Sequence, residues 1–298
     1  MVAWYQKNVL FITWAYSNES FRHVQLMIDS IRKFGGEFLH CPVWVFMPET
    51  KDLENLEFKG QNIEIKTLDT PDSIRNYYYG NKVYACARAE ELVGQDVRSL
   101  VWVSPEILFV NPPALFDLVG DIQAAFRPVH IQNVGLRVDE NLDTFWSGVY
   151  RGAGVKDIDM ELESYVDRVQ LRAYFNSAAF GLDPTLGLCR KWFDLFEELV
   201  TDAEFQRKAC QDGWHQVFLH QAVLSALVAT RVRKERLLIL PPEYVYPYNL
   251  HGDVPLDRKA HSLDELVCLF YEGRSLIPEE VTDIKVTEPY KSWLASFV

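Results

Sequence analysis

The sequence predicts an α/β fold in which a mostly parallel sheet is flanked by helices. Short continuous apolar runs, such as 9–13, 43–47 and 99–103, are typical of strands buried on both faces of a parallel sheet. Stretches with apolar residues at every third or fourth position lie between such runs. Because strand and helix alternate along the chain, we expect right-handed crossovers between parallel strands.

The elements of the first half follow one another regularly. After the strand at 9–13, a helix is expected to begin at Ser20 as its N-cap and to end at Gly35 and Gly36. The next predicted elements are strands at 43–47 and 63–67, a helix at 82–93, and strands at 99–103, 107–110 and 124–126.

The second half has a weaker pattern. Residues 130–170 are expected to cross the surface irregularly, with the acidic stretch 157–167 as a solvated helix face. A strand with a polar interruption is expected at 173–180. The remaining predicted elements are helices at 186–200 and 212–230 and strands at 237–240 and 266–271. The simplest organisation is one domain, 8–272, followed by a C-terminal extension, 273–298.

The composition is that of a globular protein with an acidic surface. Apolar residues make up 48% of the 298 positions and charged residues 24%, which excludes general disorder. Acidic residues outnumber Lys and Arg by 42 to 30, for a formal charge of −12. Nucleic acids and anionic membranes are therefore not expected as partners, although a local pocket for one diphosphate remains compatible with this charge.

Cysteine usage and the absence of long apolar runs bear on location. The five cysteines are widely spaced and form no Cys-x-x-Cys pair, so we expect neither a disulfide framework nor a zinc site. No apolar run approaches the ~20 residues that a membrane span needs. The first eight residues lack the pattern of a secretory signal, and we expect a cytoplasmic protein.

Several common catalytic motifs are missing. No Gly-rich phosphate loop follows the first strand, which argues against a dinucleotide dehydrogenase or a P-loop nucleotidase. The sequence contains neither G-x-S-x-G nor H-E-x-x-H. His215 and His220 are five residues apart, a poor spacing for two metal ligands on one helical face.

Polar residues stand where ligands usually bind in open α/β sheets, beyond the carboxyl ends of the strands. They are Thr13, Trp14 and Tyr16 after the first strand, Ser104-Pro105-Glu106 after the strand at 99–103, Asn176-Ser177, and Glu272-Gly273-Arg274 after the last strand.

The order of these segments resembles that of GT-A glycosyltransferases, which use nucleotide-sugar donors. A helix with Lys82 precedes a strand, the Ser-Pro-Glu turn at 104–106, a second apolar run and the break at Asn111-Pro112. Asn176-Ser177 resembles the acceptor-side Asn-Ser-Gly strand of that superfamily. Gln221, in the second of two His-Gln pairs, resembles the superfamily's acidic-Gln pair.

The resemblance implies transfer of a sugar from a nucleotide-diphosphate donor to an unknown acceptor. On this interpretation Thr13, Trp14 and Tyr16 hold the base, Lys82 and Arg88 lie near the diphosphate, and Ser104 and Glu106 face the ribose, the phosphates or a weakly held cation. Asn176, Ser177 and Gln221 orient the sugar and the acceptor. Glu106 and Gln221 are the candidate catalytic residues.

The sequence departs from the superfamily at its cation site. The Asp-x-Asp motif that would hold Mg²⁺ or Mn²⁺ is replaced by Ser104-Pro105-Glu106, so Glu106 is the single candidate ligand there. Phe270 stands where relatives often have a histidine. An alternative is therefore a non-catalytic nucleotide-sugar-binding or scaffold protein that has lost the cation site.

Each candidate residue also has a structural interpretation. Trp14 would be a core residue, and Glu106 would be a turn carboxylate satisfied by backbone amides. Lys82 and Arg88 would be a solvated helix face. We expect His251 to be a packing residue of its loop.

Overall fold

The computed structural model describes residues 8–49, 56–272 and 284–297. Its strands are β1 (Val9–Trp14), β2 (Val43–Met47), β3 (Ile63–Thr67), β4 (Ser99–Val103), β5 (Ile107–Phe109), β6 (Ala124–Phe126), β7 (Glu161–Glu163), β8 (Gln170–Arg172), β9 (Ala179–Leu182), β10 (Leu237–Ile239), β11 (Tyr246–Pro247) and β12 (Cys268–Phe270). Its α-helices are α1 (Asn18–Phe34), α2 (Asp72–Arg75), α3 (Gly80–Leu92), α4 (Thr144–Gly152), α5 (Leu188–Thr201), α6 (Ala203–Ala209), α7 (Gly213–Arg231) and α8 (Tyr290–Ala295).

A seven-stranded sheet runs in the order β10-β6-β9-β4-β1-β2-β3. Every neighbouring pair is parallel except the two that involve β9, which is antiparallel to both β4 and β6. Because parallel neighbours need crossover connections, α1 links β1 to β2 and α3 lies between β3 and β4. The predicted mixed, mostly parallel sheet flanked by helices is confirmed.

The two faces of this sheet bury separate apolar layers. Along β1, Leu10 and Ile12 face the layer that includes α3, α5 and α7, whereas Val9 and Phe11 face the layer that includes α1. This alternation follows from the two-residue period of a strand. Both faces are therefore covered, as the continuous apolar runs predicted.

A small second sheet returns the late part of the chain to the end of β4. Its order is β11-β12-β5, and β12 is antiparallel to β5, with Phe270 opposite Ile107. Since β5 starts one residue after Glu106, this pairing places the residues that follow β12 beside the turn at 104–106.

Three predictions about local structure were wrong. Helix α1 has Ser17 as its N-cap, whereas Ser20 is the third helical residue and completes a capping box with it. The predicted strand at 173–180 begins only at Ala179, because Asn176 bonds to the local backbone instead. The acidic stretch 157–167 is not helical and contains strand β7, paired with β8.

One helix inside the irregular region was not predicted. Helix α4 is capped by Asp143, whose carboxylate accepts a hydrogen bond from the Trp146 backbone at 2.7 Å. Phe145 and Val149 are buried on one of its faces. An acidic N-cap before apolar residues four positions apart was a signal available in the sequence.

The last described segment packs onto the domain. The Tyr290 hydroxyl donates a hydrogen bond to the Val110 carbonyl at 2.6 Å, and its ring lies 4.7 Å from that of Phe34. Within the described ranges, no helix combines the length and apolarity that crossing a membrane requires.

The capping box of α1 provides a test of where this helix begins. We expect Ser17→Ala to lower the free energy of unfolding by about 1 kcal/mol, because its hydroxyl accepts the Ser20 backbone N–H. Urea denaturation measures this change. The control is Asn18→Ala at an exposed neighbouring position, expected to shift stability by less than about 0.5 kcal/mol. Equal effects of the two substitutions would contradict the assignment of the cap.

Candidate active site

The turn at 104–106 lies where three other segments meet. The Ser104 backbone N–H donates to the Ala178 carbonyl at 2.7 Å, and the Tyr271 N–H donates to the Glu106 carbonyl at 3.1 Å. Strand β1 pairs with β4, with Ile12 opposite Trp102, so both strands end on the same side. The structure thus brings together the exits of β1, β4 and β12 and the segment that holds Asn176.

The residues that follow β1 differ in their exposure. Thr13 is fully buried, and its hydroxyl has no hydrogen-bond partner among the described residues. Trp14 is half-buried, Tyr16 is exposed, and their ring centroids lie 4.5 Å apart. Trp14 and Tyr16 therefore form a tilted aromatic pair at the carboxyl end of β1, whereas Thr13 is buried inside the protein.

Two carboxylates and three phenols form a cluster around the turn, which we call the carboxylate–tyrosine cluster: Tyr16, Tyr79, Glu106, Tyr271 and Glu272. Burial and then the charge of Glu106 raise the pKa of the Glu272 carboxyl. Burial, followed by the charges of Glu272 and Glu106, raises the pKa of Tyr79 to about 12. Burial and then Glu106 raise the pKa of Tyr16 and of Tyr271. The cluster is therefore a region of negative potential.

Neighbouring side chains orient members of this cluster. The Asn249 amide donates to a Glu272 carboxylate oxygen at 2.9 Å, and His23 Nδ1 lies 2.7 Å from the Tyr271 hydroxyl. Glu272 is the second residue after β12 and belongs to the segment 272–274 that the sequence singled out as a strand exit, whereas neither Tyr79 nor Tyr271 was predicted.

Tyr79 has an unusual backbone conformation. Its φ is +59°, in the left-handed region, and it precedes the first residue of α3. Such a conformation in a bulky residue costs roughly 1–3 kcal/mol and is found mostly at functional sites. The Tyr79 ring stacks on the imidazole of His220 with centroids 4.2 Å apart. The strained residue is therefore the member of the cluster whose ring also contacts helix α7.

Lys82 lies in the interior, so its interpretation as part of a solvated helix face was wrong. The side chain is 2% exposed, and Nζ donates to the carbonyl and to the hydroxyl of Ser177. It also lies 5.4 Å from the Trp102 ring centroid and 5.5 Å from that of Tyr79. Burial lowers the pKa of Lys82 to about 7.

Ser177 joins Lys82 to helix α7. Its Oγ lies 3.0 Å from His220 Nε2 and 3.1 Å from Gln221 Oε1, and its backbone N–H donates to Gln221 Oε1 at 3.3 Å. His220 Nδ1 lies 2.8 Å from the Val217 carbonyl, which assigns the ring proton to Nδ1. Burial, followed by the charge of Lys82, holds the pKa of His220 well below its usual value.

Asn176 is fixed by contacts on both sides. Its Oδ1 accepts the Ala178 N–H at 2.7 Å, its Nδ2 lies 3.4 Å from His130 Nε2, and its backbone N–H donates to the Arg127 carbonyl at 2.8 Å. Burial and then Arg127 lower the pKa of His130 to about 3, so this imidazole is neutral. Asn176, Ser177 and Gln221 are thus held in one hydrogen-bonded region.

Other candidates lie apart from this arrangement. Arg88 is half-buried and forms an ion pair with Glu91. It is six positions after Lys82, which is about 9 Å along the helix. His251 is buried, with Nδ1 2.8 Å from the Tyr246 hydroxyl. Phe270 is half-buried in β12, whereas Gly273 and Arg274 lie outside the described residues.

The metal chemistry of the site is limited. In the part of the chain that the structure describes, no three His, Cys, Asp or Glu side chains lie close enough to hold a metal ion. Glu106 and Glu272 offer two carboxylates, and such hard oxygen ligands suit Mg²⁺ or Mn²⁺ rather than softer ions.

In the large sheet β9 is antiparallel to both of its neighbours, and a small sheet lies beside the turn; this arrangement matches the fold of GT-A glycosyltransferases. The chain belongs to the Rhodobacterales glycosyltransferase domain family, whose sequence pattern matches residues 15–231. No curated protein has a detectably similar sequence.

Solved structures show the same fold at low sequence identity. The galactosyltransferase LgtC, in complex with donor and acceptor sugar analogs, superposes with a TM-score of 0.53 at 13% identity, over 97% of this chain and 94% of that one. An LgtC active-site mutant, in which glutamate replaces a glutamine, has a TM-score of 0.55 with the same identity and coverage. The bifunctional glycosyltransferase WbbM has a TM-score of 0.52 at 12% identity, over 97% of this chain and 51% of WbbM.

The buried Lys82 predicts a pH-dependent contribution to stability. Its native pKa of about 7 lies below the ordinary value of 10.5, so the unfolded chain binds the additional proton between these pH values. The stability of the wild type should therefore rise with pH relative to Lys82→Met, by up to about 1.4 kcal/mol per pH unit. Urea denaturation from pH 7 to 10 measures this difference. Lys191→Met removes an exposed lysine and is the control, and a difference that is independent of pH would contradict a buried Lys82.

Proposed function

We propose that this protein transfers a sugar from a nucleotide-diphosphate donor to an acceptor, with its reaction centre at the turn 104–106. The observation that carries the proposal is that an aromatic pair, two interacting carboxylates and a buried side-chain amide network lie around the turn where the exits of β1, β4 and β12 meet. A nucleotide sugar needs these three kinds of contact, for its base, its diphosphate and its sugar. LgtC, which has the same fold, was solved with donor and acceptor sugar analogs.

The donor base is proposed to lie against Trp14 and Tyr16. Both rings lie at the sheet edge, and Tyr16 is 55% exposed, so a planar base has access to them. Base–aromatic stacking is worth about 1–3 kcal/mol per base. Thr13 is fully buried, so it would contribute to this site through the position of the strand end and not by touching the base.

The diphosphate is proposed to lie at the carboxylate–tyrosine cluster with a divalent cation. Glu106 and Glu272 would hold Mg²⁺ or Mn²⁺, and the amide of Asn249 orients Glu272. When bound, the cation would neutralise the negative charge of the leaving group. Two carboxylates make a weak site, so we expect the cation to bind together with the donor. Ser104, whose backbone is fixed by Ala178, would face the ribose or the phosphates.

The sugar is proposed to lie near Asn176, Ser177 and Gln221, because these residues form the buried polar region behind the turn. Gln221 is held by two hydrogen bonds from Ser177. In LgtC a glutamine belongs to the active site, which supports Gln221 as the residue at the reacting carbon. Lys82 is a positioning residue, since it acts through Ser177.

The proposal extends to organisation and partners. We propose a single catalytic domain over 8–272 with an extension at 273–298, an acceptor that is not a nucleic acid, and a cytoplasmic location. The net charge of −12 and the buried cysteines support the last two points.

Removing one carboxylate tests the cation and the donor together. Thermal-shift and hydrolysis assays with UDP- and GDP-sugars, each with and without Mn²⁺, should identify a donor that stabilises the wild type most when Mn²⁺ is present. We expect Glu106→Gln and Glu272→Gln each to reduce Mn²⁺-dependent donor hydrolysis by about 100-fold, a loss of about 2.7 kcal/mol. Glu198→Gln, at an exposed carboxylate on α5, is the control.

Two outcomes would contradict parts of this proposal. If a donor stabilises the protein but no hydrolysis or transfer occurs with any acceptor tested, the chain is a nucleotide-sugar-binding protein. If no donor stabilises it under any condition, the donor site is wrong.

A second substitution tests the base position. Trp14→Ala should raise the donor KM about tenfold while kcat changes little, because stacking contributes equally to the ground state and the transition state. Steady-state hydrolysis separates the two constants. Tyr78→Ala removes an exposed aromatic residue outside the cluster and serves as the control. An unchanged KM in Trp14→Ala would place the base elsewhere.

A further inference from the structure

A cavity beside the candidate active site is lined by residues that the preceding proposal does not use. Its volume is about 490 Å³. It lies between the end of β6, the loop after β10 and the segment 257–266. Its lining includes Arg127, Tyr165, Glu243, Arg258 and Glu265. A cavity of this size holds a small organic molecule and is larger than one inorganic ion needs.

Arg127 lines this cavity with two guanidinium nitrogens that lack hydrogen-bond partners in the described part of the chain. Burial lowers its pKa, although the nearby charge of Glu243 opposes that shift and favours the protonated form. Its side chain is 4% exposed, and neither Nε nor Nη2 has a hydrogen-bond partner among the described residues. The guanidinium lies over the Tyr165 ring, 4.4 Å from its centroid. That contact offsets only part of the cost of removing a charge from water, which normally requires a hydrogen-bonded partner. An anion in the cavity would supply it.

The other arginine of the cavity is already engaged. Arg258 donates to the carbonyls of Ser164 and Tyr165 and forms an ion pair with Glu163. The contrast matters because both guanidinium groups face Tyr165, at 4.4 and 5.6 Å, yet Arg258 alone has its hydrogen bonds satisfied by the protein. Arg127 is therefore the group in this wall that a ligand would satisfy.

The rest of the wall restricts what the anion is. Glu243 and Glu265 also line the cavity, and they would repel a bare inorganic anion. Carboxylates accept hydrogen bonds from hydroxyl groups, so they favour a ligand that carries hydroxyls at a distance from its charge. We propose that this cavity binds an anionic sugar, with its phosphate or carboxylate on Arg127 and its hydroxyls toward Glu243 and Glu265.

This cavity borders the proposed active site, since the Arg127 carbonyl accepts the Asn176 backbone N–H, but the proposed binding does not require sugar transfer. Its residues do not overlap with the carboxylate–tyrosine cluster or with the Ser177 network. The test therefore measures binding alone and needs no activity.

The experiment uses the full chain and isothermal titration calorimetry. The ligands are hexose 6-phosphates (glucose and mannose) and hexuronates (glucuronate and galacturonate), with glucose and inorganic phosphate as the partial ligands. We expect at least one anionic sugar to bind about tenfold or more tightly than either partial ligand, and whether phosphates or uronates bind identifies the anionic group. Arg127→Met should abolish this binding. Arg168→Met, an exposed arginine paired with Asp257 on the rim, should retain it.

Two results would overturn the proposal. One is the absence of binding to the wild type by every anionic sugar up to about 10 mM, well above ordinary affinities for small metabolites. The other is equal binding by Arg127→Met. Thermal unfolding without ligand provides a second measurement. Because Arg127→Met removes a buried guanidinium with two nitrogens that no described residue partners, its Tm should equal or exceed that of the wild type, and a marked fall would assign Arg127 a structural role instead.

Discussion

The candidate active site depends on two backbone hydrogen bonds that hold the turn at 104–106. Ser104 is tied to Ala178, at the entrance of β9, and Glu106 is tied to Tyr271, at the exit of β12. These partners come from segments about 75 and 165 residues further along the chain, so the site forms only when the antiparallel strand and the small second sheet are both in place. An unpaired buried N–H or carbonyl is costly, so other positions of this turn that broke these two hydrogen bonds would be less stable.

The parallel half of the sheet could be predicted from the sequence because its signal is local. Strands β1, β2 and β4 are short apolar runs, and burial on both faces demands such a run whatever the neighbours are. Strand β3 lies at the sheet edge and alternates between apolar and polar residues, which is also a local signal. The segment 173–180 looked similar, yet only its last part is a strand. Asn176 bonds to the backbone two residues further on, which interrupts the strand. Ser177 bonds to Gln221 and Lys82, which are remote in sequence and could not be identified as its partners from the local pattern.

The same distinction applies to the candidate site. Strand exits identified the segments that carry Trp14 and Glu106, since ligand positions in such sheets follow topology. Asn176 was singled out as a polar interruption in an apolar run, and it lies just before β9. Tyr79 and Tyr271 were not predicted, because their proximity to Glu106 arises from long-range packing. Lys82 was placed near the donor from the sequence, whereas in the structure its ammonium group is directed into the protein, at Ser177.

The left-handed backbone at Tyr79 lowers local stability, but it accompanies the position of a ring that stacks on His220. A glycine at this position would adopt the same φ without steric cost and would relax the chain before α3, but it would also remove the ring that stacks on His220. We therefore expect relatives to keep an aromatic residue at this position if the ring is needed for function, and to replace it with glycine if it is not.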